Sequence, residues 1–273
     1  MKFSEKIVIA CAIFALLVLG VVFESYRPAV LGVHFLDVGQ GDAICIETPG
    51  GRQVLIDGGR GGSGVLEELS VCAPFYDRSL DVLVATHMDE DHVGGLVEVL
   101  EHYEVDMVIA TYETGTDVAA SFWEAVEEEG VQVLSPEAGM RLVLEEGVVF
   151  DIVGPLPALK SASDNERSVV AKLTYGNDSF LFTGDIERRA EYALLASGFA
   201  LDVDVLKVAH HGSNSSSTDA FLAAVSPRLA VVQVGKNSYG HPTPQVLERL
   251  RGARIVRTDQ NGTISLYSSG DSF

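Results

Sequence analysis

One arrangement recurs along this chain and constrains its fold more than any other: a short apolar run that stops at Asp or His beside Gly. It occurs at Asp37-Val38-Gly39-Gln40-Gly41-Asp42 and at Asp57-Gly58-Gly59. It returns at Thr86-His87-Met88-Asp89-Glu90-Asp91-His92-Val93-Gly94-Gly95, Gly184-Asp185, His210-His211-Gly212-Ser213 and Ser238-Tyr239-Gly240-His241-Pro242. The run DVLVAT at 81–86 is continuously apolar in its middle, as in strands covered on both faces. In open α/β sheets, sites form beyond the carboxyl ends of strands, where residues distant in sequence converge. The repeated pattern therefore predicts an α/β fold whose strand ends share one pocket.

The spacing predicts strands over 33–38, 43–47, 53–57, 81–86, 105–110, 204–209, 229–234 and 263–267. It also predicts hairpins over 141–144 with 148–153 and over 169–175 with 179–183. Helices are expected over 94–102, 117–129, 187–196, 218–224 and 244–251, with Asp117 as an N-cap and Gly130 and Gly198 as stops. With 47% hydrophobic residues there is material for a buried core, so wholesale disorder is excluded. Nineteen Lys and Arg against 39 Asp and Glu give a net charge of −20, which excludes a generally basic nucleic-acid-binding surface. Three Cys exclude a disulfide scaffold; Cys45 and Cys72 are expected as buried free thiols.

Residues 1–25 stand apart. Ile7 to Phe23 runs 17 residues without a charge, near the lower limit for crossing a bilayer core of about 20 apolar residues. No small-residue cleavage site follows it, so an uncleaved membrane anchor is expected, with a signal segment as the alternative. Lys2 and Lys6 would stay in the cytoplasm and place residues 26–273 outside. Removing 1–25 takes away two Lys and two Glu, so the globular part keeps the charge of −20.

The chemistry concentrates in the loop after DVLVAT, where His87, Asp89, Asp91 and His92 fall within six residues. Carboxylates crowded this way repel one another unless a cation sits among them. Asp185, His210, His211 and His241 lie at the other strand ends. Imidazole and carboxylate groups gathered from several strand ends suit one or two divalent metal ions.

The segments HFLDVGQGDAICIETPGG, IDGG, THMDEDHVGG, LFTGD, LKVAHHGS and YGHP resemble the metallo-β-lactamase superfamily, whose signature is H-x-H-x-D-H followed by Gly. Their order over residues 33–267 is most similar to the hydrolase domain of the ComEC DNA-uptake channel proteins, without the multi-helix pore of those channels. The resemblance implies a four-layer αβ/βα sandwich preceded by one hydrophobic helix. It implies that His87, Asp89, Asp91 and His92 form a metal loop, that Asp185 bridges two metals, and that His210 or His211 completes the second sphere. Asp57 would support the loop from behind. Asp89 stands where the superfamily has its second His, and only Asn165 and Ser168 lie where its third-motif His would be. The oxygen-rich set favours Mn²⁺ or Mg²⁺ over Zn²⁺ at the first site, so one or two ions of Zn or Mn are the expected cofactor.

The expected activity is metal-assisted phosphodiester hydrolysis, with DNA as a candidate substrate and a metal-held hydroxide as nucleophile. Asp91, His211 and His241 are the residues expected to carry it, a protonated His241 or His211 offsetting charge on the leaving oxygen. Two alternatives stand beside it. One is hydrolysis of a lactam, lactone or thioester. The other is a non-catalytic, membrane-tethered module that passes DNA to a separate channel.

Overall fold

Strands whose successive side chains are all apolar need cover on both faces, and that requirement organises this molecule. The computed structural model describes residue 9 and residues 11–15, 30–73 and 76–271. The expected anchor over 7–23 lies mostly outside the described residues; among those described, no helix is long and apolar enough to cross a membrane.

The first half contains β1 (Leu31–Phe35), β2 (Ile44–Glu47), β3 (Gln53–Ile56), β4 (Ser79–Leu80) and β5 (Val82–Ala85). Next come α1 (Glu90–His102), β6 (Glu104–Val105), β7 (Met107–Ala110), α2 (Asp117–Glu129) and β8 (Gln132–Leu134). The second half contains β9 (Arg141–Glu145), β10 (Val148–Gly154), β11 (Val170–Tyr175), β12 (Asp178–Phe182), α3 (Arg188–Ser197) and β13 (Val205–Lys207). It continues through α4 (Asp219–Val225), β14 (Leu229–Val232), α5 (Pro244–Arg249), β15 (Arg254–Arg257) and β16 (Ile264–Ser268).

One sheet runs β16-β1-β2-β3-β5-β7-β8 and the other β15-β14-β13-β12-β11-β10-β9. Side chains alternate between two environments. Ile44, Ile46, Val54, Ile56, Val82 and Val84 meet Phe150, Phe180, Phe182 and Val205 of the second sheet in a central layer. Their neighbours Cys45, Leu55 and Leu83 turn outward against Leu96 and Val99 of α1 and Phe122 of α2. Leu181, Leu206, Ala230 and Val232 turn outward against Leu194 of α3, Phe221 of α4 and Val246 of α5. Three apolar layers separate four structural ones, so the αβ/βα sandwich expected from the sequence is the observed fold.

Several expectations need correction. α1 begins at Glu90, not at residue 94, so Asp91 and His92 occupy its first turn. Gly94 and Gly95 do not open the helix; they let it approach the segment after β3, where a Cβ on Gly95 would stand 2.0 Å from the Gly58 carbonyl oxygen. Thr116, not Asp117, caps α2, its hydroxyl accepting the Ala119 N–H. Cys45 and Cys72 are joined in a disulfide rather than free, tying β2 to the segment that follows Leu69.

Candidate metal centre

Strands β3, β5 and β7 are parallel, as are β12, β13 and β14, and their carboxyl ends open on one edge of the sandwich. Asp57 follows β3 in left-handed backbone conformation (φ 57°). Its carboxylate accepts the Thr86 N–H at 2.8 Å, the Thr86 hydroxyl at 2.7 Å and His92 Nδ1–H at 2.8 Å. Thr86, having donated its only hydroxyl proton to Asp57, accepts from His87 Nδ1–H at 3.0 Å. His211 Nδ1–H donates to the Gln233 carbonyl at 2.9 Å. Each of the three rings thus spends its Nδ1–H on an outer partner and turns Nε2 inward, the orientation that second-shell bonds give metal-binding imidazoles.

Inside this ring of partners, the Nε2 atoms of His87, His92 and His211 and Oδ1 of Asp185 are buried with no hydrogen-bond partner. Buried polar atoms left open in this way cost free energy unless something binds them. His92 Nε2 lies 3.5 Å from Asp185 Oδ1; His211 Nε2 lies 3.3 Å from Asp185 Oδ2 and 3.5 Å from Asp91 Oδ2. Ligand atoms of His87, His92 and Asp185 fall within 4.8 Å of one another, as do those of Asp91, His92 and His211. Asp185 is therefore set between a pair of histidine-containing groups. The donor set fits one or two divalent ions.

The electrostatics agree. Burial would depress the pKa of His92 and His211, but Asp185 acts on both, Asp57 on His92 and Asp42 on His211, holding them well above the ordinary imidazole value. Burial opposes ionisation of Asp185, yet His211 and His92 keep it well below the usual carboxylate range. The negative field that holds protons on these rings is one a divalent cation would satisfy.

The remaining predicted residues form a rim. Asp89 is half-exposed, its Oδ2 3.5 Å from His87 Nε2. Between the two adjacent histidines left open by the sequence, geometry separates the roles. His211 is buried among the carboxylates, whereas His210 is partly exposed, with Nε2 3.7 Å from Asp185 Oδ2 and Nδ1 3.3 Å from Glu187. The His241 ring stands farther out, 5.6 Å from that of His210 and 5.8 Å from that of Tyr239. Burial and the charges of His210 and His211 lower the pKa of His241. Ser168, from the stretch without a third-motif His, accepts the Asp185 N–H at 3.2 Å.

Two participants carry no expected role in the sequence reading. Lys207 is fully buried, forms an ion pair with Asp42, reaches within 3.6 Å of Asp185 Oδ1 and donates to the Gly184 carbonyl at 3.0 Å. Burial would lower its pKa, but Asp42 and Asp185 outweigh that and raise it. Asp42 also lies 3.4 Å from His211 Nδ1, and its N–H donates to the Asp91 carbonyl at 3.1 Å. The residue before it must be glycine there, because a Cβ on Gly41 would stand 2.2 Å from that same Asp91 oxygen. The available signal was a lysine inside the apolar run DVLKVA, since a charge placed in a buried strand requires a buried partner.

Comparison with known proteins agrees with this geometry. The chain is 34% identical over 256 residues to ComE operon protein 3 of Bacillus subtilis, covering 85% of this chain and 32% of that protein. It is 32% identical over 261 residues to competence protein ComA of Neisseria gonorrhoeae, covering 89% and 34%. The chain thus spans about a third of the length of these relatives. The metallo-β-lactamase fold protein YhfI from Bacillus subtilis superposes with a TM-score of 0.58 at 10% identity, covering 88% of this chain and 100% of the other. The metallo-beta-lactamase superfamily pattern matches residues 36–236, and with its fold and clustered ligands this chain belongs to that superfamily of metal-dependent hydrolases.

Proposed function

We propose that the centre hydrolyses phosphodiesters and that its natural substrate is a polynucleotide handled during DNA uptake. The observation that carries this reading is the inward convergence of His87, His92, His211 and Asp185, with their inner atoms unpartnered. Relatives named for competence support the substrate class. His87, Asp89 and Asp185 would hold one ion, and Asp91, His92, His211 and Asp185 a second, of Mn²⁺ or Zn²⁺. Divalent ions held there supply Lewis-acid neutralisation of phosphoryl oxygens and acidify water. The protein's own part is orientation. Asp57 and Gln233 fix the rings of His92 and His211, and Lys207 holds Asp42 and steadies Asp185 from below. His241 on the rim, its ring 5.6 Å from that of His210, or His211 at the centre would offset charge on the leaving oxygen.

The Cys45–Cys72 disulfide supports an extracytoplasmic location, where such bonds persist, and a separate membrane channel is a fitting partner. The test is hydrolysis of a bis-aryl phosphate and of DNA by purified protein supplied with Mn²⁺ or Zn²⁺. Asp91→Ala is expected to lower kcat/KM by at least about 10²-fold. Failure of the wild-type protein on both substrates across a metal panel overturns the reading.

A further inference from the structure

A groove of about 750 Å³ runs beside the metal centre, lined by Glu187, Arg188, Arg189, Tyr192, Asn214 and Ser215 with Glu166 at its floor. His210 stands between groove and centre, 3.7 Å from Asp185 on one side and 3.3 Å from Glu187 on the other. Within the groove wall the Arg188 N–H donates to the Ser215 carbonyl at 3.0 Å.

The carboxylates of this groove are already engaged. Glu166 accepts the N–H groups of Glu187, Arg189 and Ala190 at 3.3, 3.0 and 2.6 Å, so the start of α3 is satisfied from within. Glu187 accepts the Ser215 hydroxyl at 2.6 Å and faces His210. The cations are not engaged. Arg188 and Arg189 are exposed, and among the described residues neither side chain has an ion-pair partner.

Most described arginines of this chain, whose net charge is −20, do pair with a carboxylate. Arg52, Arg141, Arg228, Arg251 and Arg257 each pair with one. Arg78, set over the Tyr103 ring, and Arg254 also lack an ion pair; Arg254 begins β15 opposite Leu229, at the end of the sheet away from the centre. Arg249 adds a third guanidinium at the groove wall, donating to Asn214 Oδ1 at 2.9 Å. Tyr192, 53% exposed and one turn along α3 from Arg188, lines the same groove.

Unpaired guanidinium groups and an open aromatic ring are what a single-stranded nucleic acid meets on its binding proteins, the cations tracking phosphates and the ring stacking on a base. We propose that this groove binds a flanking phosphate and base of a single-stranded polynucleotide, next to the phosphodiester held at the metal centre. The assignment rests on the phosphodiesterase reading for its direction along the chain, though not for the binding itself.

The test is fluorescence anisotropy with a labelled twelve-nucleotide oligodeoxythymidylate and the full chain, in EDTA to prevent cleavage. The double variant R188Q/R189Q is expected to raise Kd about 10-fold and to shallow the salt dependence by about 1.4 logarithmic units per decade, two phosphate contacts' worth for a single strand. Tyr192→Ala is expected to raise Kd about 5-fold or more. Arg254→Gln carries a like charge change per site and is expected to stay within about 2-fold of wild type. Binding by R188Q/R189Q as tight as that by R254Q, or no binding by the wild type, overturns the proposal. Turnover of bis-aryl phosphate by the wild type is scored separately. Arginine-dependent binding without turnover of either bis-aryl phosphate or DNA across the metal panel sustains the groove and removes the phosphodiesterase reading; turnover with arginine-independent binding does the reverse.

Discussion

The two halves of the sandwich bring their ligands to one centre by different means. In the first half, close packing and a covalent tie set the frame in which Asp57 and Thr86 hold His92 and His87: α1 lies so close to the segment after β3 that Gly95 meets the Gly58 carbonyl, and the Cys45–Cys72 disulfide ties β2 to the flanking turn. In the second half, Asp185 and His211 are positioned by charge, with Lys207 buried between Asp42 and Asp185. Packing and covalent ties do not depend on whether an ion is bound. A charge cluster does, because a divalent cation and a buried ammonium oppose the same carboxylates. The charge cluster around Lys207 should therefore be where the loss of a buried cation is answered by metal.

The strongest way to break this contrast is Lys207→Met, which keeps the bulk and removes the charge. Leaving Asp42 and Asp185 buried without their cation is expected to cost about 3–5 kcal/mol of stability in metal-free protein, read by urea unfolding. Added Mn²⁺ or Zn²⁺ should recover part of that loss. An equal loss with and without metal would show that Lys207 serves packing alone. The first half gives the counterpart. Opening the disulfide, which closes a separation of 27 residues, is expected to cost about 3.5 kcal/mol on the chain-entropy estimate. Unfolding of wild type and the double variant Cys45→Ala/Cys72→Ala should show that difference unchanged by metal.

The same contrast explains what could be read before the structure. Strands buried on both faces announce themselves by continuous apolar runs, so 81–86 and 204–209 locate β5 and β13. β8 and β15 escaped because they are partly exposed edge strands, where QVL and RIVR carry little periodic signal. At the site, His and Asp beside Gly marked the ligands, but the ion pair of Lys207 with Asp42 joins residues 165 positions apart in sequence, and no local pattern records it. Pairing of Cys45 with Cys72 was hidden likewise, since only tertiary packing brings β2 to the turn after Leu69. The start of α1 was misplaced because Gly94-Gly95 reads locally as a break, while its use is close packing against Gly58.

The smallest expected effect lies on the outer face of the first sheet. His34 of β1 is buried, its Nδ1 2.8 Å from the Ser265 hydroxyl and its Nε2 without a partner. Burial pushes its pKa down to about 4. The unfolded chain, with His near 6.5, then binds the extra proton first as pH falls. Its contribution to stability is complete above about pH 6.5 and is lost as pH drops towards 4, an effect on the order of 3 kcal/mol. Carboxylates titrate over the same range, so the informative quantity is the difference between wild type and His34→Gln. Unfolding free energies of the two proteins should diverge as pH falls from 7 to 4, with the wild type losing more. Parallel curves would mean that β1 accepts a charged ring at this position. The outer face of the first sheet would then absorb a proton by the same kind of local electrostatic adjustment that the second half uses around Lys207.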